Sequence, residues 1–410
     1  MNVSPAALTF GAVAATLLAC LIFRAIARLL GQPAVVGELF GGVLLGPTLL
    51  GSFSATVLPD VVRPQLSTLG NIGAALFMLV LGLEFGAGKH SGQIRHAGLI
   101  GIGSVALPFA LGAGFGGLLA AWGRAPVNPT VFVLFMGIAM AVTAFPVLAK
   151  LLEHRKLTDT DIGRLAIGAA ATSDAVAWTV LALVISIARA GVQTFWMTVV
   201  VVPLYLLLRH GIAPALRALL ARHPAAARSP GGLTAGLIAG AFASGAVTEM
   251  IGLHFIFGAF IFGVVMAPSI PLEPSALPLR PITGVAALFL PVYFLSAGLR
   301  VDLSLSLPVA GLTVLALSVA VSGKVGGTFI SARLVGLPKE QAGVLAVLMN
   351  TRGLTELVVL TTGLELGILS AELYSIMVLV ALVTTAATNP VLTVLDRRNR
   401  RVSQRTTSPP

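Results

Sequence analysis

Long apolar runs, each about the 20 residues that a helix needs to cross a bilayer, follow one another along the chain. Of the 410 residues, 57% are hydrophobic and only 10% are charged, whereas a soluble domain carries about 25% charged residues. In lipid the backbone must satisfy its own hydrogen bonds, which helices do within a single segment. The sequence therefore predicts an all-α polytopic membrane protein and excludes a globular enzyme held by one anchor.

The apolar runs predict about 13 transmembrane helices, with boundaries accurate to a few residues. They lie at 3–23, 34–50, 66–85, 97–122, 130–149, 163–188, 193–209, 232–250, 253–268, 281–298, 304–333, 340–366 and 371–395. The one long polar stretch, 210–231, is basic and rich in alanine and proline. We interpret it as a cytoplasmic connector between an N-terminal half, 1–209, and a C-terminal half, 232–395, with a basic cytoplasmic tail at 396–410.

The net charge of +11 would suit a nucleic-acid partner, but the distribution of the charges argues against one. When loops are placed on alternate sides of the membrane, 20 of the 26 lysines and arginines fall on one side and four on the other. Cytoplasmic loops carry this excess in membrane proteins. We therefore expect the N-terminus outside, the C-terminus in the cytoplasm, and membrane lipid rather than nucleic acid around the chain.

Two predicted helices are interrupted by polar motifs. One is Thr143-Ala144-Phe145-Pro146, and the other is Asn350-Thr351-Arg352-Gly353. Proline removes a backbone donor and glycine relaxes a helix. Interrupted helices in corresponding positions of two halves are typical of the binding site of an inverted-repeat transporter. Two ordinary kinks are the alternative, and the aspartate in the very next helix, Asp174, favours the transporter.

Asp174 and Lys324 each lie inside an apolar run, where a charge is costly and marks function. Small residues surround Asp174, and burial disfavours the charged form of a carboxyl group. Such a group binds a proton or gives it up to a cation, which is the minimum machinery of an exchanger. Lys324 could hold Asp174 or helix carbonyls. A purely structural role is the alternative for both residues.

Arg352 and Glu356 are one helical turn apart and are expected to pair in a supporting role. Glu38, Glu84 and Glu249 lie near helix ends and are interpreted as interfacial or packing residues. The sequence shows no pairing of catalytic residues, no cofactor motif and no metal-ligand spacing, so we expect neither an enzyme nor a cofactor. The only metal expected is a transported monovalent cation.

Several ordered motifs, spread from about residue 33 to 395, resemble the monovalent cation:proton antiporter-2 family, the membrane part of sodium/proton and potassium/proton exchangers. They are Val36-Gly37-Glu38 with Gly46-Pro47, Gly82-Leu83-Glu84, Thr143 to Ala149, Ser173-Asp174 with Ala177-Trp178, Thr248-Glu249 to Phe260, Ser296 to Arg300 with Asp302, and Asn350 to Leu354 with Glu356-Leu357. Their order and spacing make the resemblance specific. The last motif is most similar to plant cation/proton exchangers and their bacterial relatives.

The resemblance implies inverted repeats with two broken helices crossing at the midplane of a core domain, beside a dimerisation domain that forms a homodimer. It implies that Asp174 is the ion-binding carboxylate and that Lys324 is the core lysine. Family members usually carry Asp, Asn or Gln before the key aspartate. This chain has Ser173 there, which cannot act as the lysine's acidic partner.

From the residues and the resemblance together, we assign cation and proton binding to Asp174, Ser173, Thr172 and Thr143. The supporting charges are Lys324, Arg352 and Glu356. The expected function is a secondary antiporter of the cell membrane, such as the bacterial inner membrane, that exchanges Na⁺ or K⁺ for H⁺ in pH homeostasis. A non-transporting membrane sensor or regulatory subunit, and an exporter of a small organic ion, are the alternatives.

Overall fold

The computed structural model describes residues 4–50, 59, 61–87, 94–158, 160–188, 203–222, 230–250, 254–270, 279–302 and 306–406. All regular structure in these ranges is helical. The α-helices are α1 Pro5–Leu29, α2 Ala34–Leu45, α3 Pro47–Leu50, α4 Arg63–Gly86, α5 Ile94–Ala121, α6 Pro129–Ala141, α7 Phe145–His154, α8 Asp161–Ala188, α9 Ala213–Arg222, α10 Pro230–Met250, α11 Phe255–Met266, α12 Leu279–Leu299, α13 Leu307–Leu334, α14 Lys339–Met349, α15 Leu354–Glu365 and α16 Ala371–Thr406. A π-helical turn, Leu208–Ile212, precedes α9, and a 3₁₀ turn, Ala267–Ser269, follows α11.

Within the described residues, eight helices are long and apolar enough to cross a membrane: α1, α4, α5, α8, α10, α12, α13 and α16. Three shorter helices, α2, α6 and α11, are also apolar. The prediction of an all-α polytopic membrane protein is confirmed. Of the predicted run 193–209, residues 193–202 lie outside the described residues.

The structure changes several predicted boundaries. The predicted runs 130–149 and 340–366 are each divided into two helices, α6 with α7 and α14 with α15. The last helix continues to Thr406, so much of the predicted tail is helical. Part of the predicted connector also forms a helix, α9.

The chain forms two compact units. The first unit comprises Met1–Leu18, Leu58–Ser91 and Ile185–Ser296, and its helices α4, α10 and α11 pack against one another. A glycine permits this close packing, because a Cβ on Gly82 of α4 would lie 2.3 Å from the carbonyl oxygen of Phe260 in α11.

The second unit comprises Ala19–Val57, Gly92–Val184 and Ala297–Pro410, and it contains both interrupted helices. Here α5 packs against α6 and α13, and α13 also contacts α14 and α16. Every residue of the candidate site described below belongs to this unit.

Proline and glycine account for the two interruptions. After α6, Val142 is extended, with φ −61° and ψ 142°, and α7 restarts with Pro146 in its first turn, where a missing N–H removes no helical hydrogen bond. The second interruption ends at Gly353, where a Cβ would lie 2.6 Å from Cγ2 of Val147 and 3.2 Å from Cβ of Ala144. Glycine at this position lets the two broken helices meet.

Candidate ion-binding site

The two helix breaks are joined directly by hydrogen bonds. The backbone N–H of Ala144 donates to the carbonyl of Thr351 over 3.0 Å. The hydroxyl of Thr355 donates to the carbonyl of Thr143 over 2.8 Å. These bonds satisfy backbone groups that the interruptions leave without helical partners, as burial in a membrane requires.

Two cationic side chains bind the C-terminal end of α6. The last carbonyls of a helix lack helical donors and carry the negative end of its dipole. Nη2 of Arg352 donates to the carbonyl of Met140 over 2.9 Å, and Nη1 lies 3.5 Å from the carbonyl of Ala139. Nζ of Lys324 donates to the carbonyl of Ala141 over 2.5 Å. The broken end of α6 is therefore capped by charges from α13 and from the second break.

Lys324 is fully buried and has a second carbonyl acceptor. Its Nζ donates to the carbonyl of Ser104 in α5 over 2.9 Å. Of the two kinds of partner considered for this lysine, the structure places helix carbonyls at hydrogen-bonding distance. The lysine's charge also interacts with Asp174 across the site.

Arg352 and Glu356 form the ion pair expected from their spacing, and both side chains are completely buried. Nη1 of Arg352 donates to Oε1 of Glu356, whereas Oε2 of Glu356 has no hydrogen-bond partner in the described part of the chain. The backbone of Arg352 is held as well, because the hydroxyl of Thr385 accepts from its N–H over 3.0 Å and donates to its carbonyl over 2.8 Å. These contacts fix the guanidinium beside the end of α6.

Asp174 lies in α8, is 7% exposed, and faces the first break. The backbone N–H of Phe145, at the N-terminal end of α7, is directed at its carboxyl group. Within the described residues, Oδ1 of Asp174 has no hydrogen-bond partner. The neighbouring Ser173 is buried, and its hydroxyl lies 3.2 Å from that of Thr143. Among the described residues, Asp174 therefore has one carboxylate oxygen without a partner, and the residue before it, Ser173, pairs its hydroxyl with that of Thr143 at the first break.

The structure does not bring Thr172 into this cluster. Its side chain is only half-buried, and its hydroxyl donates to the carbonyl of Gly168, one turn back in α8, over 2.9 Å. The same side chain lies against Gly101 of α5. Thr172 therefore faces a neighbouring helix, while Ser173 and Asp174 face the break.

Several groups of the site escaped the sequence analysis. They are the Ser104 carbonyl, the Phe145 backbone N–H, and the hydroxyls of Thr355 and Thr385. Thr355 could have been suspected, because it follows the second interrupted motif by two residues and precedes Glu356. Phe145 lies in the first interrupted motif, but nothing in the sequence marks its backbone N–H as a contact of Asp174, and no local pattern distinguishes Ser104 or Thr385.

The remaining buried or interfacial acids have structural partners. Glu38 pairs with Arg24 over 2.7 Å, and Oε2 of Glu249 accepts from the N–H of Phe255 at the start of α11 over 2.8 Å. Glu84 is exposed. In the described part of the chain, no group of three or more His, Cys, Asp or Glu side chains is placed to hold a metal ion.

The arrangement suits a small monovalent ligand. It offers one carboxylate oxygen and, at the first break, the hydroxyl oxygens of Ser173 and Thr143. In transporters with broken helices, ions bind where such helices are interrupted near the midplane. The same carboxylate can accept a proton instead.

Comparison with known proteins agrees with this architecture. The family model described as the transmembrane sodium/hydrogen exchanger matches residues 13–394. The chain belongs to the sodium/hydrogen exchanger family. The match includes both breaks, Asp174 and Lys324.

The sequence is also similar to antiporters from three organisms. The sequence is 36% identical to cation/H⁺ antiporter 18 of Arabidopsis thaliana, over 92% of this chain and 47% of that protein. It is 33% identical to K⁺/H⁺ antiporter 1 of Saccharomyces cerevisiae, over 92% of this chain and 45% of that protein. It is 32% identical to the Na⁺/H⁺ antiporter NhaS4 of Synechocystis, over 91% of this chain and 95% of that protein. The chain thus spans about half the length of its plant and yeast relatives.

A solved structure shares the fold. The sodium proton antiporter MjNhaP1 of Methanocaldococcus jannaschii aligns with a TM-score of 0.66, covering 95% of this chain and 96% of that one, at 14% sequence identity. The predicted fold class, a sodium/proton antiporter fold with two broken helices, is confirmed.

Proposed function

We propose that the protein is a secondary active antiporter that exchanges a monovalent cation, Na⁺ or K⁺, for H⁺ by competition at Asp174. Family membership and the broken-helix fold support transport. Relatives named as Na⁺/H⁺ and as K⁺/H⁺ antiporters support both candidate cations. In this proposal, Ser173 and Thr143 supply neutral oxygen ligands beside the carboxylate. Thr172 would join them only if α8 rotated.

The free oxygen of Asp174 is the observation that carries the proposal. Three carboxylates are buried in the described part of the second unit: Glu38, Asp174 and Glu356. Glu38 pairs with Arg24, and Glu356 pairs with Arg352. Among the residues that the structure describes, Asp174 has no salt-bridge partner, and its Oδ1 has no hydrogen-bond partner. A buried carboxylate without a fixed counter-charge needs a mobile one, and a proton or an alkali cation supplies it.

Lys324, Arg352 and Glu356 serve as supporting charges in the proposed mechanism. The two cations neutralise the end of α6, and Glu356 balances Arg352. Their positive charge disfavours a second cation and lowers the cost of a bare carboxylate during the exchange of ligands. They are assigned no direct contact with the transported ion.

The test is ion-driven proton movement in proteoliposomes that contain the purified full chain and a pH-sensitive dye. Sodium and potassium gradients should each be applied, with choline as the impermeant control. Dye signals driven by Na⁺ or K⁺, but not by choline, are expected. No signal with either cation would favour a non-transporting sensor or regulatory subunit, and a signal with organic ions alone would favour an exporter.

We further propose an exchange of one proton for one cation. Ser173 removes the second carboxylate found in many family members, so Asp174 is neutral in either loaded form. A rate independent of an imposed membrane potential is expected. If the rate rises steeply with potential and loses that dependence in Lys324→Gln, the lysine carries a second proton and the ratio is two to one.

The proposed assembly is a homodimer in the cell membrane. The proposed division into two membrane halves, 1–209 and 232–395, puts the connector 210–231 and the tail 396–410 in the cytoplasm, as the charge asymmetry favours. Light scattering of the protein in detergent tests the dimer. Labelling of single cysteines near each terminus tests the orientation in the membrane. Full activity from a monomer would exclude the dimer as a requirement.

A further inference from the structure

Pro108 lies inside α5, and its position explains why one carbonyl of that helix is available to Lys324. In an α-helix, the carbonyl of residue 104 accepts a hydrogen bond from the N–H of residue 108. Proline has no N–H, so the carbonyl of Ser104 lacks this donor. Nζ of Lys324 occupies the vacated acceptor over 2.9 Å.

Close packing of α13 on α5 brings the lysine within reach of this carbonyl. A Cβ on Gly323 would lie 2.8 Å from Cα of Pro108, and a Cβ on Gly327 would lie 2.6 Å from the carbonyl oxygen of Gly103. The two glycines flank Lys324 in sequence and leave room for the proline ring. The proline therefore lies at the contact from which the lysine side chain extends.

The second acceptor of Lys324 has a similar origin. The carbonyl of Ala141 is free because α6 ends there. The ammonium is thus held between two carbonyls that have lost their helical donors, one through a helix break and the other through a proline. Both are oriented backbone dipoles that stabilise a cation without adding a charge.

We propose that Pro108 is a positioning residue for Lys324, which reserves the Ser104 carbonyl as a fixed acceptor and so keeps the ammonium off the Asp174 carboxylate. This inference rests on the proposed exchange at Asp174. A lysine anchored on carbonyls leaves the carboxylate open to the transported cation. A lysine released from one anchor competes with that cation for Asp174.

The substitution Pro108→Ala tests this role of the proline, because alanine keeps the Cβ atom and restores the backbone N–H. The restored N–H donates to the Ser104 carbonyl and displaces the lysine from it. Since a hydrogen bond to a charged group is at stake, we expect KM for the cation to rise by roughly tenfold or more, with kcat nearly unchanged. Pro108→Gly restores the N–H equally and replaces the alanine variant if that variant does not fold.

The controls separate positioning from a general effect on helices. Pro291→Ala removes another proline from inside an apolar helix, α12, and should leave KM unchanged. Lys324→Gln and the double variant that combines it with Pro108→Ala complete a double-mutant cycle. In this cycle the proline substitution should leave KM unchanged once the lysine is absent. A KM that stays within about twofold of wild type in Pro108→Ala, or an equal rise in the Lys324→Gln background, would overturn the inference.

A thermal measurement on the same four proteins in detergent does not depend on transport. Lys324→Gln should lower the unfolding midpoint less in the Pro108→Ala background, where the restored N–H already satisfies the Ser104 carbonyl. Equal lowering in both backgrounds would also overturn the inference. If wild type shows no exchange but the thermal coupling is present, the proposed function fails while the contact between Pro108, Ser104 and Lys324 stands.

Discussion

The two broken helices differ in how their C-terminal ends are capped. The last carbonyls of α6 accept hydrogen bonds from two cationic side chains, whereas the last carbonyls of α14 accept hydrogen bonds from the residues that directly follow that helix. The N–H groups of Asn350 and Thr351 donate to the carbonyls of Val347 and Leu348 over 3.2 Å. The hydroxyl of Thr351 also donates to the carbonyl of Leu348, over 2.9 Å. The second break is capped locally and by neutral groups, while the first depends on charges from distant parts of the chain.

In the proposed exchange at Asp174, this difference assigns the ion-dependent role to the first break. A local neutral cap responds little to the electrostatics of its surroundings. In the proposed mechanism, protonation or cation binding at Asp174 acts on Lys324, whose charge interacts with that carboxylate and whose ammonium holds the end of α6. We therefore expect substitutions around the first break to affect exchange, and those around the second to affect mainly stability.

The largest expected effect is the loss of exchange in Asp174→Asn. Asparagine keeps the shape of the side chain but can neither titrate nor carry charge, so cation-driven proton movement should fall to the level of empty liposomes. Asp161→Asn is the matched control, since Asp161 is an exposed residue at the start of the same helix and pairs with the exposed Arg164. Wild-type rates in folded Asp174→Asn would eliminate the mechanism.

Arg352→Gln should cause the largest loss of stability. It leaves Glu356 buried without its counter-charge, and breaking a buried pair from one side costs about 3–5 kcal/mol. The unfolding midpoint in detergent should fall clearly. In Arg300→Gln, which breaks the exposed pair with Glu365, the loss should be about 0–1 kcal/mol. Similar losses in both variants would contradict the role assigned to the buried pair.

Lys324→Met should have an intermediate effect. It removes the donor to two buried carbonyls, and a lost hydrogen bond to a charged group costs about 1.5–3 kcal/mol. Thermal unfolding in detergent measures this, with Lys339→Met at the start of α14 as an exposed control. No destabilisation would mean that water replaces the ammonium at the end of α6.

Thr385→Val should have the smallest effect of the four and tests the second break. It removes the hydroxyl that bridges the N–H and carbonyl of Arg352, which should cost about 1 kcal/mol of stability. Exchange should persist with at most a small rise in KM, because the ion pair with Glu356 and the bond to the Met140 carbonyl still hold the guanidinium of Arg352 beside the first break. A large loss of exchange at normal stability would show that the two breaks are functionally equivalent.

Local sequence patterns were enough to predict much of the fold. Apolar length located the membrane helices, and Pro146 and Gly353 marked both breaks, because proline and glycine act on the backbone at their own positions. The spacing of Arg352 and Glu356 was enough to predict their ion pair. Each of these features depends on residues within a few positions of one another.

The partners of Lys324 could not be predicted in this way. Its acceptor on α5 lies 220 residues earlier in the chain and is free only because of a proline four residues further on. Recognising it requires knowing which helices are neighbours. Thr172 and Ser173 illustrate a second limit, because adjacent helical residues point about 100° apart, and only the helix's rotation decides which one faces the break.

The hydrogen bond from Thr355 to Thr143 joins residues that are 212 positions apart, and this separation has a consequence for biogenesis. At 5–20 residues per second, a ribosome needs roughly 10–40 seconds after synthesising the first break to reach its partners. During that interval the nascent chain holds an unwound segment whose backbone groups lack their final hydrogen bonds. Until Thr351 and Thr355 have been synthesised, the N–H of Ala144 and the carbonyl of Thr143 lack the partners that they have in the folded chain.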